Sequence, residues 1–148
     1  MKLEQQVCSR ELAEKIDSLI TKRQDHLFAY YGNDGKWSDA IVPMDMYQDI
    51  VIEGFDKEKL LPAYTVAELG EMLPERLETK EEFIGYLTLS REYPDWVVSY
   101  CVGEPSGNSI VVERDDRYMS FSSMIEADAR ARMLIYLIEN GLITPPTN

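Results

Sequence analysis

The stretch Glu126–Leu142, EADARARMLIYLIENGL, carries the longest unbroken helical periodicity in the chain. Ala127, Ala131, Leu134, Ile135, Ile138 and Leu142 recur at three- and four-residue steps, so they line one stripe of a helix that needs a partner surface. Glu126, Asp128, Arg130, Arg132 and Glu139 fall largely on the opposite side. There the four-residue spacing predicts an ion pair between Asp128 and Arg132 on the solvated face. Ser123 followed by Glu126 fits a capping box at the start. Asn140-Gly141 predicts a left-handed stop, with Leu142 folding back on the last turn. Burying Leu134, Ile135 and Ile138 contributes roughly 1.5 to 3 kcal/mol each, more than surface pairs supply, so packing should hold this helix.

Upstream, Ser9 is placed to cap a helix whose apolar stripe is Leu12, Ala13, Ile16, Leu19 and Ile20. The run His26 to Tyr31 reads as a strand, Gly32-Asn33-Asp34-Gly35 as a turn, and Lys36-Trp37 as the start of a return limb. Ile50-Val51-Ile52 suggests a short strand within an acidic stretch. Pro62 should end whatever precedes it, and Thr65 should cap a short helix over Val66–Leu73 before Pro74. Glu75 to Glu82 reads as a charged connection. Tyr86–Leu89, Trp96–Val102, Ile110–Val112 and Tyr118–Phe121 have strand character, separated by Tyr93-Pro94-Asp95, Glu104–Asn108 and Glu113–Arg117. Connections this short impose antiparallel pairing. The expected fold is α+β: an antiparallel sheet of about four to six strands covered by an N-terminal and a C-terminal helix, in one domain over 1–148 with a frayed tail at 144–148.

With 45% hydrophobic and 28% charged residues in 148, the composition is that of a folded globular chain with a sizeable core. No apolar run reaches the roughly 18 residues of a membrane span, and MKLEQQVCSRELAEK lacks the apolar centre of a secretory signal. The expected location is the cytoplasm of a bacterial host cell, with no membrane partner. Cys8 and Cys101 are therefore expected to be thiols. A formal charge of -12 repels phosphate backbones, and the basic residues are scattered, so no nucleic acid is expected. That charge suits a basic surface on a protein partner, imitation of nucleic acid, or simply solubility.

Catalytic and metal-binding patterns are sparse. His26 is the sole histidine, so a multi-histidine site is ruled out, and its place beside Asp25 at a strand edge is ordinary. The two cysteines lack CxxC spacing, and Cys101 within an apolar strand reads as a small hydrophobe. Glu81-Glu82, Asp115-Asp116 and the pair Glu126 and Asp128 are carboxylates within reach of one another, but none has a specific metal or acid/base spacing. The glycines form neither a P-loop nor a dinucleotide fingerprint. No catalytic residue, no metal ligand and no cofactor is assigned. Aromatic residues on predicted strands are the better candidates, since alternate positions should face outward. Tyr30, Trp37, Tyr47, Tyr93, Trp96 and Tyr118 form the candidate binding set, against the plain alternative of cross-strand packing.

SRELAEKI, LFAYY, AYTVAELGEMLP and above all EADARARMLIYLIENGLI resemble segments of a group of small uncharacterised proteins encoded by bacteriophages and prophages. A looser likeness is to phage sandwich domains in which helices pack on an antiparallel sheet. The resemblance implies a mobile-element origin and an α+β fold, and it supplies no catalytic residues. The expected role is that of a non-catalytic accessory protein that binds another protein, such as a host or defence factor. A homodimer is left open. The alternative is a small-molecule or nucleotide binder, or an enzyme, with a pocket between sheet and helix. The stretches Gly32–Leu61 and Tyr86–Phe121, acidic and rich in aromatics, are where function is expected to reside.

Overall fold

The computed structural model describes residues 2–20, 27–33, 36–43, 60–79, 84–102 and 117–145. His26, Tyr47, Ile50–Ile52, Glu81-Glu82, Ile110–Val112 and Asp115-Asp116 lie outside them. Three α-helices are described: α1 (Arg10–Leu19), α2 (Val66–Met72) and α3 (Glu126–Glu139). Their strands are β1 (Phe28–Asn33), β2 (Lys36–Pro43), β3 (Leu61–Pro62), β4 (Arg76–Glu78), β5 (Ile84–Glu92), β6 (Asp95–Val102) and β7 (Arg117–Ser123). The fold is α+β, and among the described residues every strand pairing is antiparallel. The strands divide between two sheets, of order β2-β1-β3 and β4-β5-β6-β7. No described helix is long and apolar enough to cross a membrane.

Helix α3 is enclosed on three sides. Tyr136 meets Phe121 of β7 with ring centroids 5.4 Å apart, Arg130 lies over Gly70 of α2, and Asp128 and Glu139 face α1. Beside the expected stripe, Ala129, Met133 and Leu137 form a second fully buried ridge at four-residue spacing. Ala127, Ala129 and Ala131 are all fully buried, and their small side chains allow this close surround. Arg132 and Glu139 remain exposed.

The ends of α3 differ in how closely they follow expectation. At the C-terminus, Gly141 has φ 66°, Leu142 N donates to Leu137 O at 2.9 Å and Gly141 N to Ile138 O at 3.1 Å, a Schellman stop. The N-terminus departs from the capping box. Ile125 is the capping residue, and Ser123 Oγ accepts from the Ile125 amide at 3.2 Å. Glu126 instead accepts from Arg130 Nε at 3.0 Å and Nη2 at 2.8 Å, making the intrahelical pair that the spacing also allowed between Asp128 and Arg132. This pair is half-buried because a guanidinium fits against Gly70, where a Cβ would stand 2.8 Å from Nη1. Helix α2 keeps its predicted cap: Thr65 Oγ1 accepts from the Glu68 amide at 3.2 Å while Glu68 Oε2 accepts from the Thr65 amide at 2.8 Å.

Leu60–Thr65 forms a buried seam that the sequence patterning does not announce. On one side Ala63 N donates to Phe28 O beside the β1–β3 pairing. On the other, Cys8 N donates to Tyr64 O and Val66 N to Gln6 O, around a bridge between Val7 and Thr65. Pro62 therefore sits within a short strand rather than simply ending a segment; the ladder tolerates it where no amide is required. Arg76–Glu78 likewise pairs with Ile84–Tyr86 as β4, correcting the charged connection, because Leu77 alone points inward between two exposed charges. Tyr100 ties this sheet to the end of α2, its hydroxyl donating to Pro74 O at 2.7 Å.

Asp128 joins α3 to the start of α1. It is only 9% exposed, and its Oδ1 accepts from the Ser9 amide at 2.6 Å. A carboxylate from far along the chain thus satisfies the first amide of α1, while Ser9 makes no side-chain cap bond of its own. Burial raises the Asp128 pKa above the ordinary aspartate value, against the lowering effects of the Ser9 amide and the Arg132 charge. A raised folded-state pKa means the folded chain holds this proton more tightly than the unfolded chain. The group's contribution is thus fully present below the ordinary aspartate value and is lost as pH rises through the folded value. Asp128→Asn keeps an acceptor for Ser9 without the buried charge. In urea unfolding, its stability relative to the natural chain is expected to be highest near neutral pH and to shrink toward the ordinary aspartate range. Asp128→Ala, which strands the Ser9 amide, is expected to lose about 1–3 kcal/mol; an unchanged midpoint would remove the bond from its structural role.

Candidate functional site

The β5–β6 hairpin turns at Tyr93-Pro94, joined by a cis peptide bond, with Glu92 opposite Asp95 and Arg91 opposite Trp96. That register puts the Arg91 guanidinium carbon 4.6 Å from the centroid of the Trp96 ring. The pair forms one wall of a half-open cleft of about 700 Å³. Met124, Ile125 and Glu126, at the entry to α3, form another wall, and Thr65, Val66 and Ala67, at the start of α2, form a third. Leu27 and the N-terminal Gln5 and Gln6 complete the rim. The cleft thus lies where the sheet meets two helix starts.

Its polar groups are partly committed elsewhere. The Thr65 hydroxyl serves α2 and the Glu126 carboxylate serves Arg130. Arg91 differs: among the described residues its guanidinium meets the Trp96 ring and has no hydrogen-bond or carboxylate partner. The apolar part of the lining is unusually open to solvent, with Met124 70% and Leu27 58% exposed.

The six candidate aromatics do not form one surface. Tyr30 is buried at 4%, and its hydroxyl donates to the Cys8 carbonyl, so it is a core residue and not an outward-facing one. Its position in β1 faces the seam that holds residues 6–8, a neighbour that strand alternation alone does not identify. Tyr93 stands at the hairpin tip and is 89% exposed, and Trp96 lines the cleft, packing one edge against the core. Trp37 belongs to β2 and Tyr118 to β7; Tyr47 lies outside the described residues. Arg91, Met124 and Leu27 line the cleft without belonging to that aromatic set. For Arg91 the signal lay in its position across a short turn from Trp96. Met124 was obscured by a helix start expected at Ser123, whereas α3 begins two residues after Met124.

Glu126 and Asp128, the described member of the three carboxylate pairs, do separate work: one holds Arg130, the other the Ser9 amide. Among the described residues no three His, Cys, Asp or Glu side chains gather as a metal site. No family model, no curated protein and no solved structure matches the chain.

Cys8 and Cys101 are both buried and unbridged. Burial foremost, with the Asp128 charge adding to it, pushes the Cys8 thiol up to about 12, far from the thiolate range a nucleophile needs. Neither thiol is expected to react appreciably with a disulfide reagent at pH 8 in the folded chain, and both should react at once in urea. Rapid labelling of the native protein would contradict the packing of residues 6–8 against Tyr64.

Proposed function

We propose that this chain is a non-catalytic accessory protein of a bacteriophage or prophage that acts by binding another protein. The observation that carries the binding part is the open cleft beside Trp96, where Met124 and Leu27 expose large apolar surfaces and Tyr93 extends the same hairpin into solvent. Exposed apolar groups around an aromatic anchor, with a polar rim, are the usual anatomy of a protein-docking surface. The accessory and phage parts rest on the likeness of the quoted segments to phage-encoded proteins. The net charge of -12 favours a neutral or basic partner, a host or defence factor among them.

A second reading, small-molecule binding, is favoured by the cleft volume, which falls in the range of ligand pockets. The commitments of Thr65 and Glu126 to their own helices weigh against it, because a small ligand needs several convergent polar groups. The two readings separate on surface variants. Met124→Glu and Leu27→Glu alter exposed side chains and should leave the thermal midpoint unchanged. Affinity capture from host-cell lysate with the natural chain is expected to retain a defined protein that both variants lose, with a measured affinity drop of tenfold or more for the purified partner. A partner held equally well by both variants would place the docking surface elsewhere.

A further inference from the structure

We infer that the segment docking in this cleft is neutral or basic overall but carries one carboxylate beside a large apolar side chain, the carboxylate meeting Arg91 and the apolar group settling among Trp96, Met124 and Leu27. This rests on the protein-binding reading above and names the chemistry of its partner.

Arg91 is the reason for the carboxylate. Its guanidinium is held at the Trp96 ring, and among the described residues none of its N–H groups is bonded to another part of the chain. A guanidinium presents a planar fork of donors that matches a carboxylate in two parallel hydrogen bonds, and stacking on an aromatic ring orients that fork beforehand. The carboxylate on the cleft wall, Glu126, is already doubly bonded to Arg130, which in turn is seated on Gly70, so it does not neutralise Arg91. The cleft therefore offers a cation within a chain of net charge -12. Beside it stand the exposed Met124 and Leu27, which supply apolar surface for a neighbouring side chain.

The overall charge restricts the rest of the segment. Beyond a Debye length of about 8–10 Å the acidic surface is screened, so one carboxylate at Arg91 is governed by the local cation. A run of carboxylates would instead lie along an acidic exterior and be repelled. One acid in a neutral or basic context satisfies both conditions, whereas a polyacidic segment meets only the first.

Fluorescence anisotropy with synthetic peptide pools tests this. Each pool carries Leu, Phe or Trp next to a fixed position, in flanks of Gly, Ser and one Lys, and the fixed position is Glu, Gln or Lys. The Glu pool is expected to bind about tenfold more tightly than the Gln pool. Arg91→Gln should erase that difference, and Met124→Glu should weaken all pools; circular dichroism and thermal unfolding confirm that both variants fold. Equal binding of the Glu and Gln pools, or tightest binding of the Lys pool, would overturn the inference while leaving docking in the cleft intact. Absence of binding by every pool would overturn it as well. The capture experiment with Met124→Glu would still decide the broader reading independently.

Discussion

The structure depends on burying α3 against three neighbours at once. A helix with a single apolar stripe needs one partner, but this one places Ala127, Ala131, Leu134 and Ile135 on one side and Ala129, Met133 and Leu137 on another. The alanines matter as much as the larger residues, since they let sheet and helices approach without a gap. Burial at roughly 25 cal/mol per Å² of apolar surface dominates any contribution from the exposed Lys15–Glu139 pair between α1 and α3. Polar contacts then fix orientation: Asp128 holds the start of α1, and the Glu126–Arg130 pair rests on α2.

The cleft follows from that arrangement. Once the N-terminal turn of α3 is fastened to both other helices, Met124 and Ile125, which lead into it, have a set position beside the β5–β6 hairpin. The rim is therefore carried on ordered elements even though Met124 itself is in a connection. Arg91 and Trp96 reach the same place through strand register alone, as one cross-strand pair beside the hairpin turn. A surface built this way is positioned by the core, while its exposed side chains, Met124 and Leu27, contribute little to the packing beneath it.

What was legible in the sequence was local. The periodicity of α3, its Asn140-Gly141 stop, the Thr65 cap of α2 and the two hairpins each depend on residues within a few positions of one another. What was not legible depends on distant partners. The second ridge of α3 is marked by the spacing of Ala129, Met133 and Leu137, but charged neighbours mask it until the helices surround it. Asp128 reads as a surface acid until Ser9 is brought to it from the other end of the chain. Tyr30 reads as an outward aromatic because nothing near it in sequence reveals the buried Cys8 carbonyl. At the cleft, Tyr93 and Trp96 were recognisable as aromatics on a hairpin, while Arg91 gains its meaning only from the register and Met124 only from where α3 begins.

The claim that α3 is the centre on which the other elements are assembled is tested most directly by native-state hydrogen exchange followed residue by residue. The amides of Met133 to Leu137 are expected to exchange only through global unfolding, with a free energy in the range of about 5–15 kcal/mol and equal to that of the β6 amides. Exchange of the α3 amides at a markedly lower free energy than β6, with the four-stranded sheet still protected, would show that the sheet holds together without the helix and would contradict the account.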